Sequence, residues 1–152
     1  MKLKGVYTLI INVKEEFKTK IGALGTIKFK KGIYLYTGSG TGASISIEDR
    51  IKRHAKRNKK KFWHIDYLLS SNKSSLIAAM ASKSNKTYEC LINNLIVKHF
   101  NGEFLMRFGS SDCFCKAHLI KINGKNINEI ILELKNVYEY AGLKPFILVF
   151  KS

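Results

Sequence analysis

KGIYLYTGSGTG, residues 31–42, contains Gly32-Ile33-Tyr34 and, two residues beyond that tyrosine, Tyr36-Thr37-Gly38. Its aromatic and β-branched content reads as a strand running into a glycine-rich turn. Tyr34 and Tyr36 then share one face, about 6.6 Å apart, with no return strand between them. Working outward, TIKFKKGIYLYTG (26–38) reads as one or two strands interrupted by Gly32, and KGVYTLIIN (4–12) as another. An antiparallel hairpin or meander opens the fold.

Beyond GSGTG the period changes. From Ser46 to Asn58 the residues Ile47, Ile51 and Ala55 recur every four positions, which predicts a helix with those three toward the core. FWHIDYLLSS has helix-compatible spacing, SLIAAMAS reads as a buried strand, and KTYECLINNLIVKHF as an amphipathic helix with Leu91, Leu95, Ile92 and Ile96 on one side. KAHLIKI is predicted as a strand, NINEIILELKNVYEYAG as a helix closed by Gly142, and KPFILVF as a final strand. Strands and helices mix without regular βαβ alternation, so the expected class is α+β, in a single domain over 1–152.

Composition limits the function classes. The 152 residues are 45% hydrophobic, enough for a real core, yet no apolar run approaches the ~20 residues that span a bilayer. A small-residue cleavage site is missing from the N-terminus, and three cysteines fit a reducing compartment; a cytoplasmic protein is expected. The Asn-x-Ser/Thr matches at Asn72 and Asn85 are read as chance. Against 11 acidic residues stand 27 Lys and Arg, a net charge of +16, and the excess peaks in RIKRHAKRNKKK, Arg50 to Lys61, which has no acidic residue. Such a run is a solvated face or a grip on a polyanion; phosphate backbones are the favoured partner, through Arg53, Lys56, Arg57, Lys60 and Lys61.

Tyr36-Thr37-Gly38-Ser39-Gly40 followed by Glu48-Asp49-Arg50-Ile51-Lys52-Arg53-His54 resembles the second half of the GIY-YIG nuclease core. In that family the two tripeptides sit on neighbouring antiparallel strands. Gly5-Val6-Tyr7 is the better equivalent of the first, leaving Gly5 and Gly38 as its structural glycines. The 29 positions from Tyr7 to Tyr36 exceed the usual spacing and imply an insertion around KEEFKTKIGALGTIKF, a mild perturbation in a hairpin connection. The fold implied is a small central antiparallel sheet flanked by helices, with an extended first hairpin. Trp63-His64-Ile65-Asp66-Tyr67-Leu68-Leu69, Glu89-Cys90 and Gly109-Ser110-Ser111-Asp112-Cys113-x-Cys115-x-x-His118-Leu119 resemble a branch of short prokaryotic proteins, archaeal ones among them, with no assigned activity.

The resemblance implies a site. Tyr7 would position or deprotonate water beside Tyr36, with surrounding positive charge lowering its pKa from about 10. Arg50 and, one helical turn on, His54 would clamp the scissile phosphate. Glu89 would hold a single Mg²⁺ or Mn²⁺ ion; an alternative register places Ile92 there and removes the metal. Cys113-x-Cys115-x-x-His118 with Cys90 is a weaker, zinc reading, because on a strand the two cysteines and His118 face opposite ways. Cys90 and Cys115 read instead as small buried hydrophobes. Gly109 to Asp112 offers a turn to phosphate or only a turn. Trp63 stacks on a base or anchors a helix, and His64 is a substrate-side contact, alone or paired with Asp66. His99 and Tyr138 read as surface or packing.

The expected function is a divalent-metal-dependent endonuclease cutting DNA. The alternative is a nucleic-acid-binding module that keeps the fold without turnover, and a zinc-stabilised adaptor is a third reading.

Overall fold

A computed structural model describes residues 3–40, 46–56, 61, 64–85, 87–100, 102–104 and 118–150. The class is α+β. Strand β1 (Gly5–Val13) leads into a separate ribbon, β2 (Phe17–Lys20) and β3 (Thr26–Phe29), joined through one turn of 3₁₀ helix, and β4 (Gly32–Gly40) returns alongside β1. Helices α1 (Ile47–Ala55) and α2 (His64–Leu69) precede β5 (Ser74–Lys83); α3 (Tyr88–His99), β6 (Gly102–Phe104), β7 (Leu119–Ile122), α4 (Ile127–Tyr140) and β8 (Phe146–Val149) complete the described elements.

The central sheet has six strands in the order β6-β7-β4-β1-β5-β8, and every neighbouring pair is antiparallel. β1 lies inside it, against β4 on one side and β5 on the other. That place explains its sequence: GVYTLIINV is almost continuously apolar because both faces are covered. Tyr7, Leu9 and Ile11 join Tyr34, Tyr36, Ile47, Ile51 and Ile65 on the α1/α2 side. Val6 and Ile10 join Leu35, Met80, Ile92, Ile96, Ile130 and Leu134 on the α3/α4 side. The expected insertion is the β2–β3 ribbon, whose strands pair only with each other among the described residues while Ile21 and Phe29 are buried in the α1/α2 cluster.

Local signals set the helix ends. Ser46 and Asp49 form a reciprocal capping box at α1, and Asn126 and Glu129 do the same at α4, each contributing about 1 kcal/mol. Gly142, at φ 85°, closes α4 in a conformation that favours glycine.

Two expected helix faces are corrected. Ala55 is exposed and His54 is buried in its place, because three residues on from Ile51, not four, returns to the sheet. Leu91 is exposed while Asn93 is buried beside Ile92 and Ile96, so the inward face of α3 is rotated from the one expected. Among the described residues no helix is long and apolar enough to cross a membrane.

Candidate active site

The register of β1 and β4 builds the floor of the site. Tyr7 lies opposite Gly38, Leu9 opposite Tyr36, and Gly5 opposite Gly40. Tyr7 and Tyr36 are therefore diagonal neighbours on one face. The glycine is a spatial necessity: a Cβ on Gly38 would sit 2.6 Å from the Tyr7 hydroxyl. Gly5 is equally constrained, since its Cβ would fall 2.0 Å from the Ser82 carbonyl oxygen of β5.

Helix α1 supplies the roof. The Ile47 N–H donates to the Leu3 carbonyl at 2.8 Å and the Leu3 N–H to Glu48 at 2.9 Å, which fastens the start of α1 to the chain entering β1. The Leu3 amide, and then the amide of Glu48 itself, hold the Glu48 carboxyl below its ordinary pKa. One turn after Arg50, His54 reaches the sheet: its Nε2 is 2.8 Å from the Tyr7 hydroxyl, in a buried bond across 47 residues. The Tyr36 ring stands edge-on to His54 at 6.1 Å and lies 6.5 Å from the ring of His118. His118, buried on the residue before β7, faces Glu89 of α3 with Nδ1 3.4 Å from Oε2. Tyr7, His54, Tyr36, His118 and Glu89 thus form one chain of contacts.

The electrostatics correct one expectation. The pKa of Tyr7 is raised well above 10, first by burial, then by Tyr36, with Glu89 and Asp66 adding; Arg50 acts the other way and is outweighed. Tyr7 is a neutral phenol at ordinary pH. Its O–H donates to His54 Nε2 when that nitrogen carries the lone pair.

The remaining expected residues divide. The Arg53 guanidinium makes a two-pronged ion pair with Asp66, both bonds 2.8 Å, joining α1 to α2 and raising the Arg53 pKa. Both Asp66 oxygens accept from this fork. Lys56 and Lys61 are exposed, Lys61 over the Tyr67 ring, and His64 is half-buried at the start of α2. Arg57, Lys60, Trp63, the Gly109 to Asp112 turn, Cys113 and Cys115 lie outside the described residues. Ile92 belongs to the opposite apolar cluster, so in this fold Glu89 and not Ile92 faces His118. Cys90, expected as a small buried hydrophobe, is half-buried and disulfide-bonded. Sequence reasoning treated His118 only as a zinc candidate. Its buried contact with Glu89 joins elements far apart in the chain, and no local pattern signals it.

A search of known families places residues 6–140 in the family described as "Domain of unknown function DUF123", and the chain belongs to that family. No curated protein and no solved structure matches it.

Proposed function

We propose that the Tyr7–His54 centre hydrolyses phosphodiester bonds of nucleic acid, DNA first, as an endonuclease of GIY-YIG type. The observation that carries this reading is the 2.8 Å bond between Tyr7 and His54, which converge from β1 and α1 one turn from Arg50 and beside Tyr36. Hydrolysis needs an aligned, deprotonated water and compensation for charge on the phosphoryl oxygens. Tyr7 is too weak an acid to act as a preformed phenolate, so its role is relay. The water gives its proton to the Tyr7 oxygen as Tyr7 passes its own to His54 Nε2. Arg50 offers a planar, permanently charged donor fork to the non-bridging oxygens.

Glu89 fits a magnesium-type ion. Mg²⁺ is commonly held by one or two carboxylates plus substrate phosphates and retained waters, and Glu89 is a partly exposed carboxylate near enough to Tyr7 to raise its pKa. When bound, the ion supplies charge neutralisation at the phosphate and the leaving oxygen. Zinc is the poorer fit, because Cys90, in a disulfide, has no thiolate to offer.

One observation favours the second reading, a module that binds without cutting. Tyr7 and His54 are each only 2% exposed, so a reacting water must reach a buried hydroxyl. The deciding experiment is cleavage of end-labelled duplex, single-stranded and branched DNA and RNA with Mg²⁺ or Mn²⁺, beside Glu89→Gln. Metal-dependent products from the wild type alone support the nuclease. Salt-sensitive binding without products from either protein supports the module.

A further inference from the structure

A cavity of about 330 Å³ opens between the β2–β3 ribbon and the end of α2. Its wall carries Lys18 and Thr19 from β2, Lys61, Tyr67 from α2, and Ser70 and Lys73 from the turn leading to β5. No carboxylate lines it among the described residues. The Lys61 ammonium lies 5.7 Å from the centre of the Tyr67 ring. The Ser70 hydroxyl is buried without a hydrogen-bond partner among the described residues, a condition a ligand oxygen would relieve. The turn is fixed in advance: the Ser70 N–H donates to the Asp66 carbonyl at 2.9 Å, the Lys73 N–H to the Ser71 hydroxyl at 3.1 Å, and the Lys14 N–H to the Lys73 carbonyl at 2.7 Å. Three ammonium groups around one groove, with hydroxyls and an aromatic face between them, match a phosphate with its attached base.

The position of the groove adds the length of its ligand. Lys73 is tied to the far end of β1, where Val13 pairs with Ser74. Tyr7 lies six residues back along the same strand, which at ~3.3 Å per residue separates the two sites by about 20 Å. Both are on the α1/α2 side of the sheet, where Phe17 packs against the cluster that holds Tyr7. A small anion fills one site. A polynucleotide fills both, covering about six nucleotides of a helically stacked strand at ~3.4 Å of axial rise each. Resting on the nucleic-acid reading above, we propose that this groove holds the phosphodiester backbone of the strand whose reacting phosphate lies at Tyr7, about six nucleotides away. The inserted ribbon is then a strand anchor.

The test is equilibrium binding of fluorescent single strands of about four and about twelve nucleotides from ~0.05 to ~0.2 M salt. The proteins are the wild type, Lys18→Gln/Lys73→Gln, and a control, Lys98→Gln/Lys135→Gln, which removes two exposed charges on the α3/α4 side. The groove variant should lower the slope of log affinity against log salt by about 1.4 and weaken the longer strand roughly ten-fold, with under about two-fold effect on the shorter. Lys18→Gln alone, on an exposed position, should lower the slope by about half as much and guards against misfolding of the double variant. Equal slope changes in groove and control variants would reduce the effect to diffuse charge and overturn the proposal. So would displacement of the longer strand by inorganic phosphate as readily as the shorter, which marks a small-anion site. A wild type that binds and cuts, with groove variants that match it, refutes the groove while leaving the nuclease reading intact; a wild type that neither binds nor cuts removes both.

Discussion

The Tyr7 hydroxyl and His54 Nε2 stand 2.8 Å apart where β1 packs under α1, so a strand residue and a helix residue 47 positions apart share one proton. Removing only the oxygen tests that sharing. Tyr7→Phe keeps the ring, and should lower single-turnover cleavage by about 10²- to 10⁴-fold while leaving nucleic-acid affinity within about two-fold. Parallel loss of both would make Tyr7 a packing residue.

Gly38→Ala attacks the same bond from the opposite strand. The new methyl would lie 2.6 Å from the Tyr7 hydroxyl, so the phenol must leave its place. We expect cleavage to fall by about 10²-fold or more, with overpacking costing about 1–3 kcal/mol in urea unfolding. Retention of full activity would show that the position of Tyr7 is not critical.

The Arg53–Asp66 pair makes a prediction about stability. Asp66 is fully buried, so Arg53→Ala leaves a carboxylate in the interior without its guanidinium. That should cost about 3–5 kcal/mol, whereas Lys56→Ala, on an exposed side chain, should change stability by no more than about 0.5 kcal/mol. Chemical denaturation of the two variants separates the structural arginine of α1 from the surface lysine that follows the helix.

Alkaline pH should unfold the protein by way of two tyrosines. Tyr7 and Tyr138 are both buried, and burial raises both pKa values above 10; for Tyr138 the bond to Thr8 opposes the rise without cancelling it. In the unfolded chain these phenols lose their protons near pH ~10 while the folded chain keeps them, so stability is intact below that pH and falls as pH rises beyond it. The limiting slope is about 1.4 kcal/mol per pH unit for each tyrosine, and Tyr138→Phe should remove one share. Cleavage should not rise between pH ~8 and ~10, since Tyr7 supplies no phenolate there.

Much of the fold was legible because its signals are local. The four-residue spacing of Ile47 and Ile51 announces α1, Gly142 the end of α4, and β-branched and aromatic content the strand β1; the capping pairs Ser46–Asp49 and Asn126–Glu129 and the double coverage of β1 emerged only with the structure. Of the ribbon, β3 lies in the stretch 26–38 that reads as strand, whereas β2 was read only as part of an insertion, although Phe17-Lys18-Thr19-Lys20 alternates half-buried and exposed positions; four residues are too few to separate that from a lysine-rich loop. In the site, spacing placed Arg50 and His54 on one helical face, yet the pKa of Tyr7 ran against the positive net charge, because burial acts at contact range and composition averages over the whole chain. His118 escaped for a related reason: its partner Glu89 is adjacent only after β7 and α3 have packed.

The interior place of β1 also sets a timetable for synthesis. Of the described strands, β1 is made before the others and is buried most completely, and its second neighbour, β5, ends at Lys83. At roughly 5–20 residues per second, about 4–14 s pass between the appearance of Val13 and that of Lys83 at the ribosome. From the completion of β4 at Gly40 until Lys83 appears, a nine-residue strand without a single charge has β4 on one side and an open edge on the other. Lys4 and Lys14, at its two ends, are placed to deter pairing with another nascent chain until β5 arrives.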